Sequence, residues 1–301
     1  MKLKSLFSSL LIVLAALIWG VAFVAQSEAM DSVGPFTFMV SRSFLGGTVL
    51  VPLTLILRMA RPREKKEQEN KKTLLIGGIC CGAALALASA LQQYGIALGA
   101  EAGKAGFLTA LYIIIVPLIG IIFFKKKYSL PLWIGVAASL VGLYLLCMTG
   151  ESSFSLADIL LLLCAVVFSV HILVIDHFSP RVDCVAMSCI QFFVCGLICT
   201  IPMFIFEKPT FDAIFAARSE ILYAGIMSSG VAYTLQIVAQ KRTPPVLASM
   251  LFSLESVFAL LSGWIILNER LSAIEIIGCL VMFGAIILAQ LSTSKDEEKI
   301  K

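Results

Sequence analysis

The sequence holds 301 residues, of which 59% are apolar and only 14% charged, with a mean hydropathy of +0.99. A soluble domain carries roughly 45–50% apolar and about 25% charged residues, so the surplus must face lipid. A formal charge of +4 is too small to point to nucleic acid, and the nine cysteines lie in apolar runs without metal-ligand spacing, as small inert hydrophobes do.

A membrane-crossing helix needs about 20 mostly apolar residues. Charges and turn residues cut the chain into ten such spans, at residues 6–26, 35–57, 73–97, 104–124, 130–149, 156–175, 184–206, 216–239, 245–267 and 272–292. Barrel strands would alternate polar and apolar residues; these runs are continuous and read as helices. Span 1 follows Lys2 and Lys4 as a signal peptide would, but it is long for one and lacks a small-residue cleavage site. It reads as a retained helix. The 58–72 connector carries both signs of charge and is too short for a catalytic domain. Gly78-x-x-x-Gly82 in span 3 permits close helix approach.

With the N-terminus inside, eighteen of the 23 Lys and Arg fall on inner segments and only Lys104, Lys208, Arg218 and Arg270 on outer ones. Cytoplasmic loops accumulate cations, so both termini are expected in the cytoplasm. The spans also repeat. A shift of 150 carries Ala15, Gly46 and Pro52 onto Ala165, Gly196 and Pro202. A shift of 143 carries Gly82, Gln93, Gly120, Ser129 and Gly135 onto Gly225, Gln236, Gly263, Ser272 and Gly278. Two five-span units, 6–149 and 156–292, followed by a charged cytoplasmic tail at 293–301, fit this pattern. An odd number of spans inverts the second unit, as in secondary transporters that bind substrate at the midplane. The expected fold is an all-α polytopic membrane protein of ten helices in two inverted repeats.

Leu17-Ile18-Trp19-Gly20, Ser41-Arg42, the run from Ala248 to Ala259 and the closing Asn268-Glu269-Arg270-Leu271-Ser272 resemble the EamA-type carriers of the drug/metabolite transporter superfamily. The first half departs from the pattern, with Lys125-Lys126-Lys127 where the second has Asn268-Glu269-Arg270. The resemblance implies a basket of ten helices, with spans 1, 3, 4, 6, 8 and 9 around a cavity and 2, 5, 7 and 10 outside. It also implies ATP-independent movement of small metabolites such as amino acids.

Polar groups in hydrocarbon need a partner, water or a function. Glu255, about mid-span in span 9, is the carboxylate placed nearest the midplane. It reads as a substrate contact or protonatable coupling group, or else as a carboxylate held by a neighbouring helix. Gln93 and Gln236 are a symmetric cavity pair or interhelical glue. His171 titrates or is a satisfied neutral side chain. Trp19, Tyr112 and Tyr233 are aromatic cavity walls or core packing. Arg42 reads as structural, snorkelling or ion-paired, and its height puts Glu255 within reach of pairing.

No H-E-x-x-H, G-x-S-x-G, Walker A motif or pair of mid-span aspartates is present, so neither an enzyme nor an ATP-driven pump is expected. The reading is a substrate-binding secondary active transporter in the cytoplasmic membrane, moving an amino acid or similar small solute, with protons as the coupling ion to consider. The alternatives are a proton-coupled exporter of drugs or organic cations and a facilitative channel. No catalytic residue, metal or cofactor is expected, and both a monomer and a homodimer remain open.

Overall fold

The structure, a computed structural model, describes residues 2–60, 70–100, 102–147, 155–266 and 272–299. Asn268–Leu271, most of the 58–72 connector and the link between the two halves lie outside the described residues. No strand occurs among the described residues. The helices are α1 (Lys2–Ala29), α2 (Pro35–Ala60), α3 (Lys71–Ala97), α4 (Ala102–Ala110), α5 (Tyr112–Phe124), α6 (Leu130–Cys147) and α7 (Leu156–Phe178). They continue with α8 (Cys184–Phe206), α9 (Phe211–Ala216), α10 (Arg218–Leu222), α11 (Tyr233–Gln240), α12 (Pro245–Phe252), α13 (Leu254–Ile266) and α14 (Ala273–Lys299).

Among the described residues, eight helical stretches are long and apolar enough to cross a membrane: Leu6–Ala29, Pro35–Ala60, Lys71–Ala97, Lys104–Phe124, Leu156–Arg181, Cys184–Phe206, Arg218–Gln240 and Pro245–Ser262. Two further apolar helices, Leu130–Leu145 and Ala273–Ala289, are shorter, and they pack side by side as one pair. The last helix runs on to Lys299, through most of the stretch the sequence reads as a tail. Large apolar side chains cover the outside, with Phe123 74%, Phe204 68% and Leu280 66% exposed. Such a surface belongs in lipid.

The helix starts are chemically marked. Asn70 Oδ1 accepts from Thr73 N at 3.1 Å ahead of α3, and Asp183 Oδ1 accepts from Val185 N at 2.8 Å ahead of α8. Pro245 opens α12, where a missing N–H costs nothing. Helix α2 also begins with proline, and its next two free N–H groups are met from far along the chain. The Glu207 carboxylate, just past α8, accepts from Phe36 N and Thr37 N at 2.8 Å each and from Thr37 Oγ1 at 2.6 Å. A second long-range tie, Lys104 Nζ to Asp158 Oδ2 at 2.7 Å, joins α4 to α7.

Two interruptions position the centre of the bundle. The fourth span breaks at Leu111 (φ −61°, ψ −10°) and the ninth at Ser253 (φ −61°, ψ −13°). After each break the chain makes one tighter i→i−3 bond, Ile114 N to Leu111 O at 3.0 Å and Ser256 N to Ser253 O at 3.2 Å. Ser253 Oγ donates to the carbonyl of Met250 at 2.7 Å, so the break is also hydrogen-bonded by its own side chain. In the eighth span, Tyr223–Ala232 winds as a π-helix, a form frequent at functional sites.

Helix α3 packs on α7 and α8, α1 on α13 and on the π segment, and α2 on α8 and the π segment. Two of these crossings need glycine. A Cβ at Gly20 would stand 2.6 Å from Phe258 Cβ and 2.8 Å from Glu255 O. One at Gly46 would stand 2.6 Å from Ser229 Cβ and 2.9 Å from Gly225 O.

Candidate functional site

These crossings leave a cavity at the centre, with about 520 Å³ of atom-free space, its open side included. Its aromatic wall is Trp19 of α1, Tyr233 of α11 and Phe252 of α12, with Trp19 ring centroids 4.7 Å from Tyr233 and 5.4 Å from Phe252. Phe23 and Phe168 extend it. The lining suits a small organic molecule, since ligand clefts are mostly apolar walls with a few placed polar groups.

The polar groups fall into two poles. At one, Arg42 of α2 is 5% exposed and donates from Nη2 to Ser228 Oγ at 2.9 Å, from Nη1 to Gln26 Oε1 at 3.2 Å and from Nε to Ser229 Oγ at 3.3 Å. The π segment supplies both serines, and the Gly46 crossing brings them to the arginine. At the other, Glu255 of α13 is 7% exposed, and its Oε1 accepts from the Tyr112 hydroxyl at 3.0 Å. Tyr112 and Glu255 each follow one of the two helix breaks. Beside them Gln92 Nε2 donates to Thr109 Oγ1 at 3.3 Å. Among the described residues neither charged group is ion-paired: the Arg42–Glu255 pairing that the sequence leaves open does not form, and each group is held by neutral partners.

Of the residues singled out from the sequence, Trp19, Tyr112, Tyr233, Gln236 and Glu255 share this lining. Gln93 and His171 stand just behind it. Gln93 Nε2 donates to the backbone oxygen of Gln26 at 3.3 Å, and its neighbour Gln92 takes the cavity-facing position. His171, wholly buried, sits 3.2 Å from Gln191 Oε1 by Nε2, with its ring centroid 6.1 Å from that of Tyr233. Gln236 Nε2 donates to Gln240 Oε1 at 3.0 Å, while its own Oε1 meets no donor.

Sequence reasoning missed Gln26, Gln92, Thr109 and Ser228, and it placed Arg42 outside. Gln26 falls on a predicted span boundary, and Gln92 is masked by its neighbour. Arg42 carried the right signal, an unexplained charge within a span, but span 2 was expected on the periphery.

Comparison with known proteins agrees with this architecture. A transporter of Archaeoglobus fulgidus, named only as an "Uncharacterized transporter", is 29% identical over 288 residues, covering 96% of this chain and 87% of its own. The "Uncharacterized transporter YoaV" of Bacillus subtilis is 24% identical over 291 residues, covering 94% and 97%. A crystal structure with 18% identity superposes over 95% of this chain and 98% of its own with a TM-score of 0.78, which shows a shared fold. The EamA-like transporter family matches residues 6–148 and again 155–291. This multi-pass membrane protein is a transporter and belongs to the EamA-like transporter family.

Proposed function

We propose that the chain is a secondary active transporter that carries a small organic solute, an amino acid or similar metabolite, across the cytoplasmic membrane by alternating access. The observation that carries this reading is the central cavity, where helices from both halves place a few polar groups on an aromatic wall. Trp19, Tyr112, Tyr233, Gln236 and Glu255 are the proposed contacts. Gln93 and His171 act from behind, bracing Gln26 and Tyr233.

The proposed frame is ten crossings in two inverted five-helix units, with both termini in the cytoplasm. It is supported by the two family matches and by the cation distribution along the chain. Two helix breaks with nearly equal backbone angles support it further. Tyr112 and Glu255, equivalent under the 143-residue shift, meet each other across the two units. The short pair Leu130–Leu145 and Ala273–Ala289 supplies the remaining two crossings.

The test is uptake into proteoliposomes. Saturable accumulation driven by an imposed gradient is expected, whereas non-saturating flux would mark a channel. Cysteines placed at Asp31 and Asp212 should react with an impermeant thiol reagent outside intact cells, and those at Lys126 and Arg242 should not. The reverse pattern would overturn the orientation. A second reading, a proton-coupled exporter of organic cations, draws on Glu255 beside the aromatic wall and expects such cations as the accumulated solute.

A further inference from the structure

A second concavity lies apart from the central cavity, at the end of the bundle where α1 starts, α7 turns into α8 and α11 stops. Helices α1 and α8 both pack on α11, and residues of all three line the groove. Its walls are apolar: Phe7 and Leu11 on α1, Val182 and Val185 at the corner, and Val238 on α11. Phe7 belongs to the apolar stretch Leu6–Ala29 and is 59% exposed, so this wall faces lipid. Two exposed cations, Lys241 and Arg242, share the lining in the turn that follows α11. Among the described residues neither side chain makes a hydrogen bond or an ion pair. By contrast, Arg181 Nη1 donates to His177 Nε2 at 3.0 Å and Arg218 Nη1 to Phe215 O at 3.0 Å. An acid also lines the groove, but Asp183 Oδ1 accepts from Val185 N at 2.8 Å and from Ala186 N at 3.1 Å, so its charge answers the start of α8.

We propose that this groove binds an anionic phospholipid, with its phosphate on Lys241 and Arg242 and an acyl chain along Phe7, Leu11 and Val238. Two adjacent cations beside an apolar channel match a molecule charged at one end and hydrocarbon at the other. A soluble anion would leave the apolar walls unanswered, and a lipid of no net charge would bring its own cation to Lys241 and Arg242. In the proposed orientation this end faces the cytoplasm, where basic pockets between helices meet anionic headgroups. The site is separate from the central cavity but shares two helices with it: α1 carries Trp19, and α11 carries Tyr233 and Gln236. A lipid seated there braces α1 against α11.

Titration of the purified full chain in dodecyl maltoside with dioleoyl phosphatidylglycerol, against dioleoyl phosphatidylcholine, tests this by thermal unfolding and native mass spectrometry. Phosphatidylglycerol should raise the unfolding midpoint and bind about 10- to 30-fold more tightly than phosphatidylcholine, a factor of about five for each cation. Lys241→Gln with Arg242→Gln should erase that preference and leave the phosphatidylcholine response as it is. Lys125→Gln, Lys126→Gln and Lys127→Gln together remove more charge from the same end, where Lys126 lies within electrostatic reach of Asp176 near the close of α7, and should keep the preference. Val238→Trp fills the groove with both cations in place and should weaken retention of phosphatidylglycerol; it serves also if the double variant does not fold. A preference unchanged in the double variant overturns the proposal, as does retention unchanged by Val238→Trp. Equal loss in the triple variant would mark a charged surface without a site and overturns it too. So would equal stabilisation by inorganic phosphate alone, which would make this a soluble-anion site. None of these measurements depends on flux, so failure here leaves the transport reading standing, and failure to transport leaves the lipid site.

Discussion

The two interrupted helices share a backbone and differ in chemistry. Both bend at a single residue with φ −61° and ψ within a few degrees of −12°, and each presents a polar side chain to the cavity just past the bend. In one that side chain is Tyr112; in the other it is Glu255. Two glutamates there would repel each other, and two tyrosines would leave no charge. A phenol opposite a carboxylate gives a donor–acceptor pair instead. On the proposed duplication, which carries Leu111 onto Leu254, the break has been kept to within one residue and the side chains have diverged where the halves meet.

The largest expected effect is Glu255→Gln, which keeps the shape and removes the charge. Transport should fall by about 10- to 100-fold while thermal unfolding in detergent stays near wild type. Wild-type flux in a stable variant would remove Glu255 from the mechanism. Next is Gly20→Val, where the new side chain meets the backbone of Glu255 and should cost about 1–3 kcal/mol of stability. The 150-residue shift carries Gly20 onto Val170, which is 43% exposed, so the same crossing is not constrained in the other half. Val170→Gly should leave the cavity intact, and loss of substrate binding in that variant would contradict the asymmetry. Tyr112→Phe removes one hydrogen bond and should weaken substrate binding by about 3- to 10-fold without unfolding the chain. An unchanged affinity would show that the phenol only fills space. Smallest is Ser253→Ala, which frees the Met250 carbonyl but leaves the bend itself. A stability change within about 0.5 kcal/mol is expected, and collapse of the fold would show that the hydroxyl makes the bend.

The crossings were legible because lipid demands long apolar runs: the predicted 35–57 and 184–206 correspond to Pro35–Ala60 and Cys184–Phe206. Trp19, Tyr112, Tyr233, Gln236 and Glu255 stood out for the complementary reason, that polar and aromatic groups inside such runs need explaining. The bends were not legible. Leu111 is an ordinary helix former and Ser253 a common one, so neither announces a break, and the geometry is decided by packing. The π segment is equally silent. Gln92 and Gln93 differ by about 100° around a helix, less than a periodicity can resolve when both are polar. Arg42 needed the fold, because its partners Ser228 and Ser229 lie more than 180 residues away.

The Glu207 carboxylate at the start of α2 has a mechanical consequence. Three hydrogen bonds pin the first turn of α2 to the end of α8, and the two helices also pack along their length. Pinned and packed, they turn as one strut. Arg42 sits only ~8 Å along the axis from that pin, so it is carried with α8, and its bond to Gln26 is its link to α1, the helix whose Gly20 face packs against Glu255 of α13. Any motion that opens the cavity between these bodies therefore changes the separation of its two charges. Spin labels on α2 and α8 should keep a fixed distance through the transport cycle, and labels on α2 and α13 should not.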